Sequence, residues 1–245
     1  MTGRAAVPRA LRGVAAAVFD TDGVITDSAR VHAAAWKAAF DQFLQLGGLR
    51  GQPPFDLQDD YLRYVDGKSR LDGAAAFLHA RGLRPSAAEV RAVAADKERI
   101  FTERLRADGV AAYPGTVRLV RALRSAGMPL AAASASRHAA ELLEHAGVRE
   151  LFDVLVDGTE VSRLHLAGKP DPALFLEAAR RLGVPARLTA VVEDSLAGVE
   201  AGRRGGFGVV VGVDRAYSPE TRSALLKHGA DLVVDDLAEL LGEDR

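Results

Sequence analysis

The chain has 245 residues, 32 basic against 33 acidic, and is 48% hydrophobic, enough for one large core or a core with an inserted lobe. A near-neutral balance with no basic stripe argues against a nucleic-acid or membrane surface, and the lack of cysteine excludes disulfides, thiolate nucleophiles and cysteine metal sites. Residues 1–12 carry Arg4, Arg9 and Arg12 without an apolar run and read as a disordered extension, not a secretory signal; no stretch reaches transmembrane length, so a soluble, cytoplasmic monomer is expected.

The first element is an apolar run, Val14 to Phe19, that ends in Asp20-Thr21-Asp22-Gly23. A buried parallel strand reads this way, and the carboxyl ends of such strands are where open α/β sheets hold ligands. Two carboxylates one residue apart repel unless a cation lies between them, and oxygen donors of this kind suit magnesium. By itself the pattern also fits a strand-ending turn with Asx hydrogen bonds and a permissive glycine. A calcium loop is not indicated, because Val18 and Thr21 break its alternation of acidic or amide positions.

Helical patterns follow. Ala29–Leu46 has Val31, Ala35, Phe40 and Phe43 near helical spacing, with Asp27 or Ser28 placed to cap it. After breaks at Gly47-Gly48 and Gly51 to Pro54 come Asp59–Tyr64, Leu71–Arg81 and Ala87–Arg106, with no convincing strand between 29 and 110. From Tyr113 strands and helices alternate. Pro114 opens a helix that Gly127 stops, and the expected strands are Pro129–Ser134, Phe152–Val156, Leu188–Val192, Gly208–Val213 and Ala230–Val234. Helices are expected over Arg137–Ala146, from Asp171-Pro172 to Gly183, and over Ser195–Arg204. The expected architecture is a doubly wound, Rossmann-like α/β core with a parallel sheet, made of 13–28 and 111–245, with an all-helical cap of residues 29–110 inserted after the first strand.

Parallel strands present their carboxyl ends on one side, and each end here carries a reactive group. They are Asp20 and Asp22; Ser134-Ala135-Ser136, whose hydroxyl and N–H groups precede a helix; Lys169 in the loop before another; and Glu193-Asp194. Singly, Ser134 is also a helix cap, Lys169 a solvated loop lysine, and Glu193-Asp194 a cap. Together they describe a carboxylate-held cation beside a phosphate held by serine, lysine and N–H groups.

In this order, Asp20-x-Asp22-Gly, Ser134, Lys169-Pro and Glu193-Asp194 resemble the haloacid-dehalogenase superfamily. The longer stretches Asp20 to Trp36, Ser134-Ala-Ser-Arg-His138, Lys169-Pro-Asp-Pro-Ala-Leu-Phe175 and Glu193-Asp-Ser-Leu-Ala-Gly198 look like its β-phosphoglucomutase subgroup. The resemblance implies that Asp20 is a nucleophile forming an aspartyl phosphate and that Asp22 is a general acid/base. It implies Mg²⁺ on Asp20, the Asp22 carbonyl and Asp194, with Glu193 alongside, and Ser134, the Ala135 amide and Lys169 on the transferring phosphoryl group.

A mutase also needs a second anion pocket, for which Gly67-Lys68-Ser69-Arg70 resembles the family's substrate-phosphate loop. Lys97 matches a cap lysine, His32 a hinge histidine, and Ser136 and His138 the core side of the cleft, His138 standing where asparagine is commoner. The plain alternatives are exposed helix charges for Arg70 and Lys97 and a packed histidine for His32. Trp36 and Phe40 are expected in the core. Thr21 replaces the usual leucine and is expected to point away from the metal. The long segment from Gly47 to Asp60 is expected to reshape the substrate entrance. The implied reaction converts β-glucose 1-phosphate to glucose 6-phosphate through a bisphosphate, under cap closure that excludes water; a sugar-phosphate phosphatase and a non-catalytic sugar-phosphate sensor are the alternatives.

Overall fold

The computed structural model describes residues 7–46 and 51–242. The opening apolar run forms strand β1 (Ala16–Asp20), with all five residues buried. After it come helix α1 (Ala29–Leu46), a π-helical turn (Tyr61–Val65), α2 (Arg70–Ala80) and α3 (Ala87–Asp108). The remainder alternates: α4 (Pro114–Ser125), β2 (Leu130–Ala133), α5 (Ala139–His145), β3 (Val154–Val156), α6 (Gly158–Leu164), α7 (Ala173–Leu182), β4 (Thr189–Glu193), α8 (Leu196–Arg204), β5 (Val209–Val213), α9 (Pro219–His228) and β6 (Leu232–Val234).

The strands form one parallel sheet in the order β3-β2-β1-β4-β5-β6. This is the doubly wound arrangement, and its order reverses between β1 and β4, where a crevice opens beyond the strand ends. The two-residue period of β1 explains its uniform burial. Ala17 and Phe19 pack on one face with Leu119, Leu123 and Val192, whereas Val18 packs on the other with Phe175, Ala178 and Val199. Pairing sets Asp20 against Ala133 and Phe19 against Val192. Ser134 and Glu193, each one residue further along its strand, therefore arrive level with or just beyond the nucleophile candidate.

The chain separates into two compact units, one comprising the residues up to Asp27 together with those from Ala111 onward, the other Ser28–Val110. The second has its own core, in which Phe40 stacks on Trp36 at 4.9 Å and on Phe55 at 5.0 Å, with Phe77 4.1 Å from Phe40. Trp36 and Phe40 are core residues, as expected. Gly47 to Arg50 lie outside the described residues, but the rest of the long segment is strapped to this unit. Phe55 is buried, Lys37 Nζ donates to its carbonyl at 2.8 Å, and its N–H donates to Asp41 at 2.7 Å. Arg81 donates to the Pro53 and Pro54 carbonyls and pairs with Asp60 at 2.5 Å.

Two core helices were not expected from the sequence. For α9 the end signals are present: Ser218 accepts from Thr221 N–H, Pro219 occupies the first turn, and Gly229 terminates it at φ 115°. Its apolar stripe is weak, with only Leu225 buried, so periodicity did not reveal it. α6 is seven residues long, too short for a period, and starts where Asp157 accepts from Thr159 and Glu160. The Asp59–Tyr64 segment forms the π-helical turn, and α5 begins two residues later than Arg137 because Ser134 to His138 form a hydrogen-bonded loop.

Phe77→Ala removes the ring that Phe40, Phe55 and Arg81 all touch. Its expected cost is about 3–5 kcal/mol. Hydrogen exchange should show the loss of protection concentrated in α1–α3, leaving the β1–β6 amides largely protected.

Candidate active site

At the end of β1 the chain turns sharply. Asp20 Oδ2 accepts the Asp22 N–H at 3.0 Å, the Ile25 and Thr26 N–H groups return to the Thr21 carbonyl, and Gly23 N–H donates to the Thr26 carbonyl at 2.9 Å. Gly23 has φ 82°, and a Cβ there would run into the Asp194 carboxylate. Glycine at 23 thus serves both the turn and the close seating of Asp194. Thr21 is fully buried, and its hydroxyl has no hydrogen-bond partner among the described residues.

Lys169, which precedes a cis-proline, is the hub of the site. Its ammonium lies 2.5 Å from Asp20 Oδ1 and in contact with Glu193 Oε1, all three groups being buried. Burial by itself would lower the lysine's pKa, but Asp20 and Glu193 outweigh it, and the net shift is upward. Asp20 is held well above the usual carboxylate range by burial and, secondarily, by Glu193 and Asp22, with Lys169 pulling the other way. One ammonium thus serves two buried carboxylates, those of Asp20 and Glu193.

Glu193 was expected beside the metal. Its geometry is that of an anchor: Oε1 meets Lys169 and Oε2 accepts both the Ser195 N–H at 2.6 Å and its hydroxyl at 2.9 Å. A Cβ at Gly198 would collide with the same carboxylate, so α8 can approach it only with glycine there. Ser195 in turn caps α8 by accepting from Gly198 N–H.

Ser134 is buried, donates to Asp22 Oδ2 at 3.2 Å and accepts from Ser136 N–H at 3.0 Å. The backbone of 135–137 packs onto Gly158, where a Cβ would clash with the Ala135 carbonyl. Ser136 Oγ accepts from His138 N–H at 3.2 Å, and the His138 ring lies 3.1 Å from Glu141. The structure therefore brings Asp20, Asp22, Ser134, Lys169 and Glu193 together, with Asp194 seated on Gly23 and Ala135, Ser136 and His138 in the adjoining loop.

The helical unit holds its own candidates. Gly67 takes φ 69°, and Ser69 caps α2, its hydroxyl accepting from Asp72 N–H and donating to the Asp72 carboxylate at 2.6 Å. Arg70 pairs with Glu98 at 2.9 Å. Lys97 is no exposed helix charge: it is 2% exposed, 2.7 Å from His32 Nδ1, and lies over the Phe101 ring at 4.6 Å. His32 stacks on Phe101 at 4.0 Å.

Among the described residues, no three His, Asp or Glu side chains converge as a metal cage. The donors nonetheless suit a hard cation: carboxylates of Asp20 and Asp194, the latter admitted by the bare Cα of Gly23, plus main-chain carbonyls of the same turn and solvent. Gly158, Gly198 and Arg215 are functional candidates that motif reading missed. Gly198 ends a recognisable motif; for the others the signal is only spatial.

The family profile of haloacid dehalogenase-like hydrolases matches residues 14–206, and the chain belongs to that superfamily. Within it the chain is β-phosphoglucomutase-like. It is 42% identical over 240 residues to the β-phosphoglucomutase of Mycobacterium bovis, covering 93% of this chain and 92% of that one. It is 29% identical over 222 residues to the phosphorylated carbohydrates phosphatase of Thermotoga maritima, covering 89% and 93%. The crystal structure of β-phosphoglucomutase from Clostridium difficile superposes with a TM-score of 0.74 at 27% identity, covering 93% of each chain.

Replacing Lys169 with methionine leaves Asp20 and Glu193 buried without their counter-charge. The expected destabilisation in metal-free buffer is about 3–5 kcal/mol by urea unfolding. Adding Mg²⁺ should recover part of it, since a cation at the same edge opposes the same charge.

Proposed function

We propose that the protein is a Mg²⁺-dependent β-phosphoglucomutase, acting on sugar phosphates. The observation that carries the reading is the convergence of Asp20, Asp22, Ser134 and Lys169 at the point where strand order reverses. The similarity to a β-phosphoglucomutase over almost the full length of both chains supports the subgroup. Bound between Asp20, Asp194 and the Asp22 carbonyl, the metal would offset charge on the phosphoryl oxygens.

Asp20 Oδ attacks phosphorus as the bond to the departing sugar oxygen breaks, and Asp22 gives that oxygen a proton. In the return step the 6-hydroxyl of β-glucose 1-phosphate attacks the aspartyl phosphate while Asp22 takes its proton, forming β-glucose 1,6-bisphosphate. After the bisphosphate turns round, its 1-phosphoryl group passes to Asp20, Asp22 returns the proton to the sugar's O1, and glucose 6-phosphate leaves. Lys169 balances the nucleophile's charge and, with Ser134 and the Ala135 amide, meets the phosphoryl oxygens. Glu193 orients Lys169. Arg70, exchanging Glu98 for substrate, would hold the second phosphate, with Gly67 and Ser69 shaping its loop; His32 and Lys97 order α1 against α3, and Ser136 and His138 border the core cleft.

A sugar-phosphate phosphatase is the second reading, favoured by the similarity to the Thermotoga maritima enzyme. Supplying Mg²⁺, a bisphosphate primer and β-glucose 1-phosphate, and following glucose 6-phosphate and inorganic phosphate in parallel, separates the two. Glucose 6-phosphate should dominate; release of inorganic phosphate alone would leave the hydrolase. Asp20→Asn should abolish both products. Arg70→Ala should slow glucose 6-phosphate formation by about a hundredfold or more while changing p-nitrophenyl phosphate turnover by under about threefold.

A further inference from the structure

The turn carrying Asp22 is gripped from the end of β5, two strands away in the sheet, by a residue with no role in the reaction outlined above. β5 ends at Val213, and the following loop is tightly built. The buried Asp214 carboxylate accepts from Ala216 N–H and Ser218 N–H, each at 3.0 Å, and Tyr217 takes φ 53°. A bulky residue in the left-handed region is uncommon and marks a loop held to one shape by its surroundings. That shape directs Arg215 back across the sheet edge. Its Nε donates to the Gly23 carbonyl at 2.6 Å, Nη2 reaches the Val24 carbonyl at 3.5 Å, and Nη1 donates to the Asp235 carbonyl at 3.3 Å.

The guanidinium also lies 3.6 Å from the centroid of the Tyr113 ring, in cation–π range. The Tyr113 hydroxyl donates to Asp27 Oδ1 at 2.9 Å, and Tyr113 N–H donates to the Ile25 carbonyl. Burial, with the Asp27 hydrogen bond adding to it, pushes the Tyr113 phenol above its usual range, so it stays a donor. One stacked pair, Arg215 on Tyr113, thus ties down both ends of the segment from Gly23 to Asp27. Asp22 directly precedes that segment.

We propose that Arg215 is a positioning residue for general acid/base catalysis, fixing the Asp22 turn through the Gly23 and Val24 carbonyls with Tyr113 as its platform. A charge-assisted bond to a carbonyl adjoining the Asp22 peptide restrains that residue's backbone more than a neutral bond would. The inference rests on the phosphoryl-transfer reading above, in which Asp22 protonates the departing oxygen.

The step has a distinctive signature. When Asp20 forms its bond to phosphorus, an alkyl leaving group needs the Asp22 proton, whereas p-nitrophenolate departs without it. Misplacing Asp22 therefore slows single-turnover cleavage of β-glucose 1,6-bisphosphate much more than the single-turnover release of p-nitrophenolate, both read on excess enzyme before the aspartyl phosphate is discharged. A merely structural loss of active protein lowers both equally. For Arg215→Met the ratio of the two rates should fall about tenfold or more, with Arg215→Lys intermediate and Asp22→Ala falling furthest. Circular dichroism tracks the folded fraction, and Arg215→Lys carries the test if the methionine variant does not fold. Equal slowing on both substrates in the Arg215 variants, with the split intact in Asp22→Ala, overturns this inference alone. No split in Asp22→Ala overturns the acid/base reading and the inference with it.

Discussion

The ammonium of Lys169, buried between the carboxylates of Asp20 and Glu193, organises the rest of this molecule. Burying charge is costly, and the cost is met only when each ion has close partners. Glu193 therefore cannot be a spare acid: it needs the Ser195 N–H and hydroxyl, and it needs α8 to approach without a Cβ at Gly198. Asp20 and Glu193 share the one ammonium, and Asp20 is pushed upward by burial first, with Glu193 and Asp22 adding to it. A site in that electrostatic condition is suited to a cation and to the stabilisation of charge on a transferring phosphoryl group.

The sheet supplies the precision. Because β1 lies between β2 and β4, the chain passes from one side of the sheet to the other at the strand that ends in Asp20. The pairing of Asp20 with Ala133 and of Phe19 with Val192 delivers a glutamate from one neighbour level with Asp20 and a serine from the other just beyond it. A one-residue slip would send these side chains to opposite faces. The alternation of Ala17 and Phe19 against Val18, packed into separate cores, opposes such a slip.

Glycines do a related job. At Gly23, Gly158 and Gly198 the place of a Cβ is already taken by the Asp194 carboxylate, the backbone of 135–137 and the Glu193 carboxylate. Each lets a functional group lie against bare backbone, so their importance is one of volume as much as of dihedral freedom. In the helical unit the same economy of space is achieved with rings. Lys97 is buried against His32 and Phe101, which gives its charge an imidazole partner and an aromatic face in place of water.

Local physics made much of this legible in the amino-acid order. Strand β1, helix α1 with both ends, and the parallel α/β core follow from apolar period, proline and glycine placement, and the alternation of elements. The convergence of Asp20, Asp22, Ser134 and Lys169 followed from one topological rule, that parallel strands end on the same side. What required the folded chain were facts of distance. Glu193 serves as the anchor of Lys169, Lys97 is buried, and Arg215, 192 residues from Gly23, holds the Gly23 carbonyl. No period or motif encodes which carbonyl a guanidinium will meet across a sheet edge, because that contact depends on strand order, register and loop shape together.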